Sequence, residues 1–202
     1  MGQRLASRGR AALLALAALS VAAPAYAHDG AGLVGGFLAG FVHPITGVDH
    51  LLAMVAVGLW GAFLGRPLLI VLPMLFPMVM ALGGVLGMVG APMPPVEIGV
   101  SLSVLVLGGL IAAAARPPTW AACLIVGAFA VFHGYAHGEE LPSAADPAGY
   151  SIGFVLATGM LHLAGIGMGL LNDRRGGQAL TRGIGAAIAA AGAWFLFASL
   201  AA

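Results

Sequence analysis

From Leu68 to Val89 the chain carries no charged side chain, and apolar runs of similar length recur to its end. Such a run is long enough to cross about 30 Å of hydrocarbon as a helix. Only 7% of the residues are charged and the mean hydropathy is +1.05, so a soluble core could not hide this much apolar surface. Strands alternating apolar and polar residues are missing, which argues against a β-barrel. The sequence therefore predicts an all-α, polytopic membrane protein in contact with lipid.

The punctuation of the runs predicts the helices. Arg66-Pro67, the Pro92–Pro95 segment and Arg116-Pro117-Pro118 are helix boundaries. Full spans are expected over about 46–64, 68–89, 96–115, 119–137, 150–171 and 181–200. Pro73 and Pro77 predict a kink in the second. The small-residue stretch 30–42 is too short to cross and reads as a short or re-entrant helix. That makes six spans plus one short helix.

The N-terminus reads as a signal peptide over residues 1–27. Arg4, Arg8 and Arg10 precede a short apolar region, and Ala25-Tyr26-Ala27 follows Pro24 as a small-residue cleavage site. An uncleaved first helix is the alternative. The mature chain, 28–202, is then one transmembrane domain beginning at His28. With that end outside and the short helix not crossing, Arg66, Arg116, Arg174, Arg175 and Arg182 all fall on the cytoplasmic side. The expected location is the bacterial cytoplasmic (inner) membrane, with the N-terminus periplasmic.

Against this background, polar residues stand out because they are costly to place in hydrocarbon. One cluster is His43-Pro44-Ile45-Thr46-Gly47-Val48-Asp49-His50, and another is His133-Gly134-Tyr135-Ala136-His137-Gly138-Glu139-Glu140. Pro44 is expected to put His43 at a helix entry, with Thr46 as the cap. Asp49 then lies in a first turn, where it is also at home as a simple helix-start residue. His133 and His137 are four apart and share a helical face, the spacing by which two histidines hold one metal ion. Glu139 and Glu140 either complete such a shell or belong to a solvated loop. His162 lies deeper in its run, as a transit ligand, a proton relay or a structural histidine. Glu97, beyond Pro94-Pro95, falls at the same outer level as both clusters. So does His28, with its imidazole and α-amine. Ser101 and Ser103 read as interhelical hydrogen-bonding groups.

Imidazole with carboxylate suits a borderline divalent cation, and this reasoning does not separate Ni2+, Co2+ and Zn2+. Met74 and Met78 share a face but read as packing rather than a Cu(I) site. Cys123 is the sole cysteine and excludes an intramolecular disulfide. A net charge of +1 and the lack of lysine give no case for nucleic acid. No phosphate-binding glycine loop is present.

The long marks His43-Pro44-x-x-Gly47-x-Asp49-His50-x-x-x-Met54 and Phe132-His133-Gly134-x-Ala136-His137-Gly138-x-Glu140 resemble those of the HupE/UreJ family of bacterial membrane proteins. Glu97 with Ser101 and the Leu161-His162 segment match more weakly. The resemblance implies a nickel permease for hydrogenase or urease maturation, not an enzyme and without a prosthetic group. It also implies that the motif histidines, Asp49 and Glu140 are needed for uptake. Some relatives handle cobalt. The metal set expected is His43, Asp49, His50, His133 and His137, with His28, Glu140 and His162 in support. The rival reading is an intramembrane zinc-dependent hydrolase. Oligomeric state is left open, a homo-oligomer included.

Overall fold

A computed structural model describes residues 33–140, 146–173 and 176–201, all within one compact unit. The signal-peptide reading, His28, Arg174 and Arg175 lie outside the described residues, as does the side chain of Glu140. Seven α-helices and one short 3-10 turn make up the described fold, with no strand among the described residues. They are α1 (Leu33–Thr46), α2 (Val48–Leu64), α3 (Leu68–Met88), α4 (Val96–Ala112), α5 (Thr119–Glu140), α6 (Pro147–Gly169) and α7 (Gly177–Ala201).

Helices α3, α5, α6 and α7 are each long and apolar enough to cross a membrane. Helices α1 and α2 meet at Gly47 with a bend of 78°, and together they have the length and apolarity of a broken span or a re-entrant loop. Helix α4 is shorter, at 17 residues. It ends at Ala112 rather than near Ala115 because Ala114 takes a positive φ of 53°. Helix α3 stays a single helix through Pro73 and Pro77.

Three local expectations are corrected. His43 is not at a helix entry: it lies in the last turn of α1, and Pro44 is inside that helix. Pro44 forgoes only the bond its missing N–H would give to the Gly40 carbonyl, so the helix survives to Thr46. Thr46 does not cap α2. Its hydroxyl donates back to the carbonyls of Val42 (3.2 Å) and His43 (3.1 Å), and Gly47 takes the cap position without a side-chain bond. Glu139 and Glu140 are the last residues of α5 rather than the start of a loop.

Helix α2 is the centre of the bundle. Every residue from Ala53 to Gly61 is buried, so this stretch has no face toward lipid. Trp60, Leu59 and Met54 pack against Leu72 and Phe76 of α3, Leu107 and Ile111 of α4, and Val126 of α5. The outside of the bundle is apolar instead: Met74, Met78 and Leu82, then Leu124, Met160, Leu163 and Phe197, are all exposed. That distribution suits helices solvated by lipid. It also turns Met74 and Met78 away from any internal site.

The closest helix pairs are α3 with α5, α4 with α7, and α6 with both α1 and α2. Glycine allows two of these approaches. A Cβ at Gly134 of α5 would overlap the Met80 carbonyl of α3, and one at Gly58 of α2 would overlap the His162 carbonyl of α6. Both sit beside site histidines. At the far end of the bundle, Arg182 Nε donates to the Ala112 carbonyl at 2.8 Å, and the Arg116 guanidinium lies 4.5 Å over the Phe63 ring.

Candidate metal site

The bend at Gly47 and the end of α5 bring the two sequence clusters together. His43 and His137 have ring centroids 5.0 Å apart, His137 and His50 4.5 Å, and His50 and His133 4.8 Å. The four rings thus form a row, His43–His137–His50–His133, drawn from α1, α5 and α2. With metal–nitrogen bonds of about 2.0–2.1 Å, two imidazoles on one ion have centroids about 4.5–5 Å apart. Neighbours along the row meet that spacing. Among the described residues, no three His, Cys, Asp or Glu side chains already surround one point at coordination distance. The arrangement is a series of imidazole pairs rather than one closed cage.

Burial differs from ring to ring, and only His133 is wholly enclosed. The side chain of Asp49 is 29% exposed and that of His50 14%, whereas His137 is 8% and His133 0% exposed. Asp49, with Glu97, Ser101 and Ser199, lines an open cleft of about 310 Å3 beside the start of α2. Glu97 therefore shares a cleft with Asp49 and does not join the imidazoles. The hydroxyls of Ser101 and Ser199 meet at 3.2 Å across α4 and α7.

Hydrogen bonds fix how three of the rings are protonated. His50 Nδ1 lies 2.8 Å from Asp49 Oδ1, and a carboxylate only accepts, so Nδ1 carries the proton. His162 Nδ1 donates to the Met54 carbonyl at 2.8 Å by the same logic. Ser103 spends its only proton on the Val100 carbonyl at 2.6 Å, so its oxygen accepts from His133 Nε2 at 2.9 Å. The opposite nitrogens, His50 Nε2, His133 Nδ1 and His162 Nε2, are buried and have no hydrogen-bond partner among the described residues. Each is a lone pair held in place by a partner on the other side of the ring, the usual support of a metal-binding imidazole.

His162 is buried, but it lies apart from the row. Phe76 packs against both, its ring centroid 5.5 Å from His133 and 5.4 Å from His162. Phe154 packs 4.3 Å from His137. Ser103 was expected only as an interhelical group, and it proves to be the support of His133. Its sequence signal was a hydroxyl inside an apolar helix, which needs a partner. Phe76 and Phe154 carried no signal, since an aromatic residue in an apolar run reads as core.

The family described as HupE / UreJ protein matches residues 16–195. The curated Protein HupE of Rhizobium leguminosarum bv. viciae is 46% identical over 181 residues, which cover 90% of this chain and 94% of that protein. No solved structure matches the chain. With motifs, helical bundle and matched length in agreement, this chain belongs to the HupE/UreJ family.

Proposed function

We propose that the protein is a secondary permease that imports a divalent transition-metal ion, Ni2+ foremost, from the periplasm for metalloenzyme maturation. The family is one of accessory transport proteins of hydrogenase and urease, associated with nickel and cobalt, and this supports metal permeation in general. It does not favour the zinc hydrolase. The choice of nickel over cobalt is this reading's own.

The observation that carries it is the row of four imidazoles at 4.5–5.0 Å spacing, with the partly exposed Asp49 and His50 beside the buried His137 and His133. Asp49 receives the hydrated ion and orients His50. His43, His50, His133 and His137 replace its water, two or three at a time. Few strong ligands at each stage keep binding weak enough for release inward. His28 and Glu140 assist at the outer face, and His162 receives the ion deeper in the bundle.

In this reading α1 and α2 form one broken span, α4 crosses despite its length, and the chain crosses six times in the cytoplasmic membrane. The imidazole row then faces the periplasm, and Arg66, Arg116 and Arg182 face the cytoplasm.

The test is uptake of radioactive nickel in cells carrying His50→Ala or His137→Ala at matched expression. Uptake near background is expected from both, and undiminished uptake would remove the site. Flux of Ni2+, Co2+ and Zn2+ in competition, into liposomes holding the pure protein, identifies the ion.

A further inference from the structure

The line of buried nitrogens is interrupted. His133 Nδ1 and His162 Nε2 both lack a partner among the described residues, and the fully buried ring of Phe76 packs against both imidazoles. A phenyl ring has no lone pair to offer a dehydrating divalent cation, and an apolar constriction excludes the water such an ion would otherwise keep. An ion passing directly from His133 to His162 would meet that ring.

The helix that carries Phe76 is weakened where the ring is attached. Pro73 and Pro77 bracket it on α3. Their missing N–H groups leave the carbonyls of Leu69 and Pro73 without an intrahelical donor. Beyond this stretch α3 is fixed to α5, since backbone of Met80 and Gly84 lies against Gly134, and the Val131 carbonyl lies against Gly83. The stretch free to adjust is therefore short, and it includes Phe76.

We propose that Phe76 is the barrier residue on the ion's path. Its ring separates the outer imidazole row from His162, and the ion crosses only when the ring turns aside on the proline-bracketed stretch of α3. The proposal rests on the permease reading and adds to it the residue that limits rate and selectivity.

The experiment compares wild type with Phe76→Ala, Phe76→Leu and Phe76→Trp in proteoliposomes. Initial Ni2+ and Mg2+ influx is read alongside equilibrium Ni2+ binding to the same proteins in detergent. A barrier predicts influx ordered by side-chain size. Phe76→Ala is several-fold faster than wild type and admits Mg2+, Phe76→Leu is intermediate, and Phe76→Trp is several-fold slower. Ni2+ binding is unchanged in all of them, because the outer row is intact. A residue that only packs would lower influx in every variant, in step with lost folded protein. Should Phe76→Ala fail to fold, the Leu and Trp variants decide. Folded Leu and Trp variants with wild-type influx overturn the barrier and leave the permease reading standing. Wild-type vesicles that carry no metal ion overturn both.

Discussion

His50 gives both its backbone N–H and its ring Nδ1–H to one oxygen of Asp49, each across 2.8 Å. The two residues are adjacent in the first turn of α2, so the carboxylate locks the ring beside it. The lock decides chemistry as well as position. With the proton held on Nδ1, Nε2 keeps its lone pair, and that nitrogen lies in a ring 4.5 Å from His137 and 4.8 Å from His133.

Asp49→Ala is expected to lower Ni2+ affinity by about 10–100-fold, the usual effect of removing a support behind a metal-binding imidazole. Asp49→Asn retains an acceptor oxygen but no charge. If orientation of His50 is the main role, Asn recovers much of the loss. If the negative charge itself attracts or ligates the ion, Asn is as poor as Ala. Calorimetric titration of the two purified variants separates these outcomes.

Ser103 supports His133 from α4 in the same manner. Ser103→Ala leaves a buried N–H without an acceptor, a cost of about 1–3 kcal/mol, and frees the ring to move its proton to Nδ1. Both a lower unfolding temperature and weaker Ni2+ binding are expected. Ser101→Ala, which loses a hydroxyl facing Ser199 rather than an imidazole, should leave affinity unchanged. Equal losses in the two variants would show that the Ser103–His133 bond does not matter to the ion.

These pairings mark where the sequence stopped being legible. Helix ends could be read because Arg66-Pro67, Pro95 and Arg116-Pro117 interrupt apolar runs in the chain itself. The histidine clusters stood out for the same local reason, as polar groups in hydrocarbon. Which ring meets which could not be read, because Ser103 and His133 belong to different helices and only the packed bundle brings them together. Pro44 misled: a proline after a histidine suggests a helix start, yet Gly47 is the break, and His43 reaches the row from the end of α1. Phe76 was invisible for a different reason, since its role depends on what lies on each side of it.

Proton competition is expected at the row. Only neutral imidazole binds a metal ion, so a proton and the ion compete for one lone pair. Adding a proton to His50 or His133 converts the remaining lone pair into an N–H. Uptake at low Ni2+ should therefore fall as external pH is lowered, because protons compete with the ion for the same nitrogens. Raising Ni2+ at the lower pH should restore it. A loss that excess metal does not relieve would point to a proton effect elsewhere than the imidazoles.

The contact of α2 with α6 gives a prediction about stability that also reaches the site. At Gly58 the two backbones come so close that an added Cβ would overlap the His162 carbonyl. On the same interface His162 Nδ1 donates to the Met54 carbonyl, one turn before Gly58. Gly58→Ala must push the helices apart and stretch that bond, so a markedly lower unfolding temperature in detergent and reduced nickel uptake are both expected. Gly159→Ala is the matched control. Its added Cβ meets nothing within 4 Å, and alanine is the better helix former by about 1 kcal/mol. That variant should unfold at or slightly above the wild-type temperature with uptake intact. If Gly58→Ala behaved like Gly159→Ala, the close approach of α2 and α6 would be wrong, and with it the placement of His162 beneath the outer row.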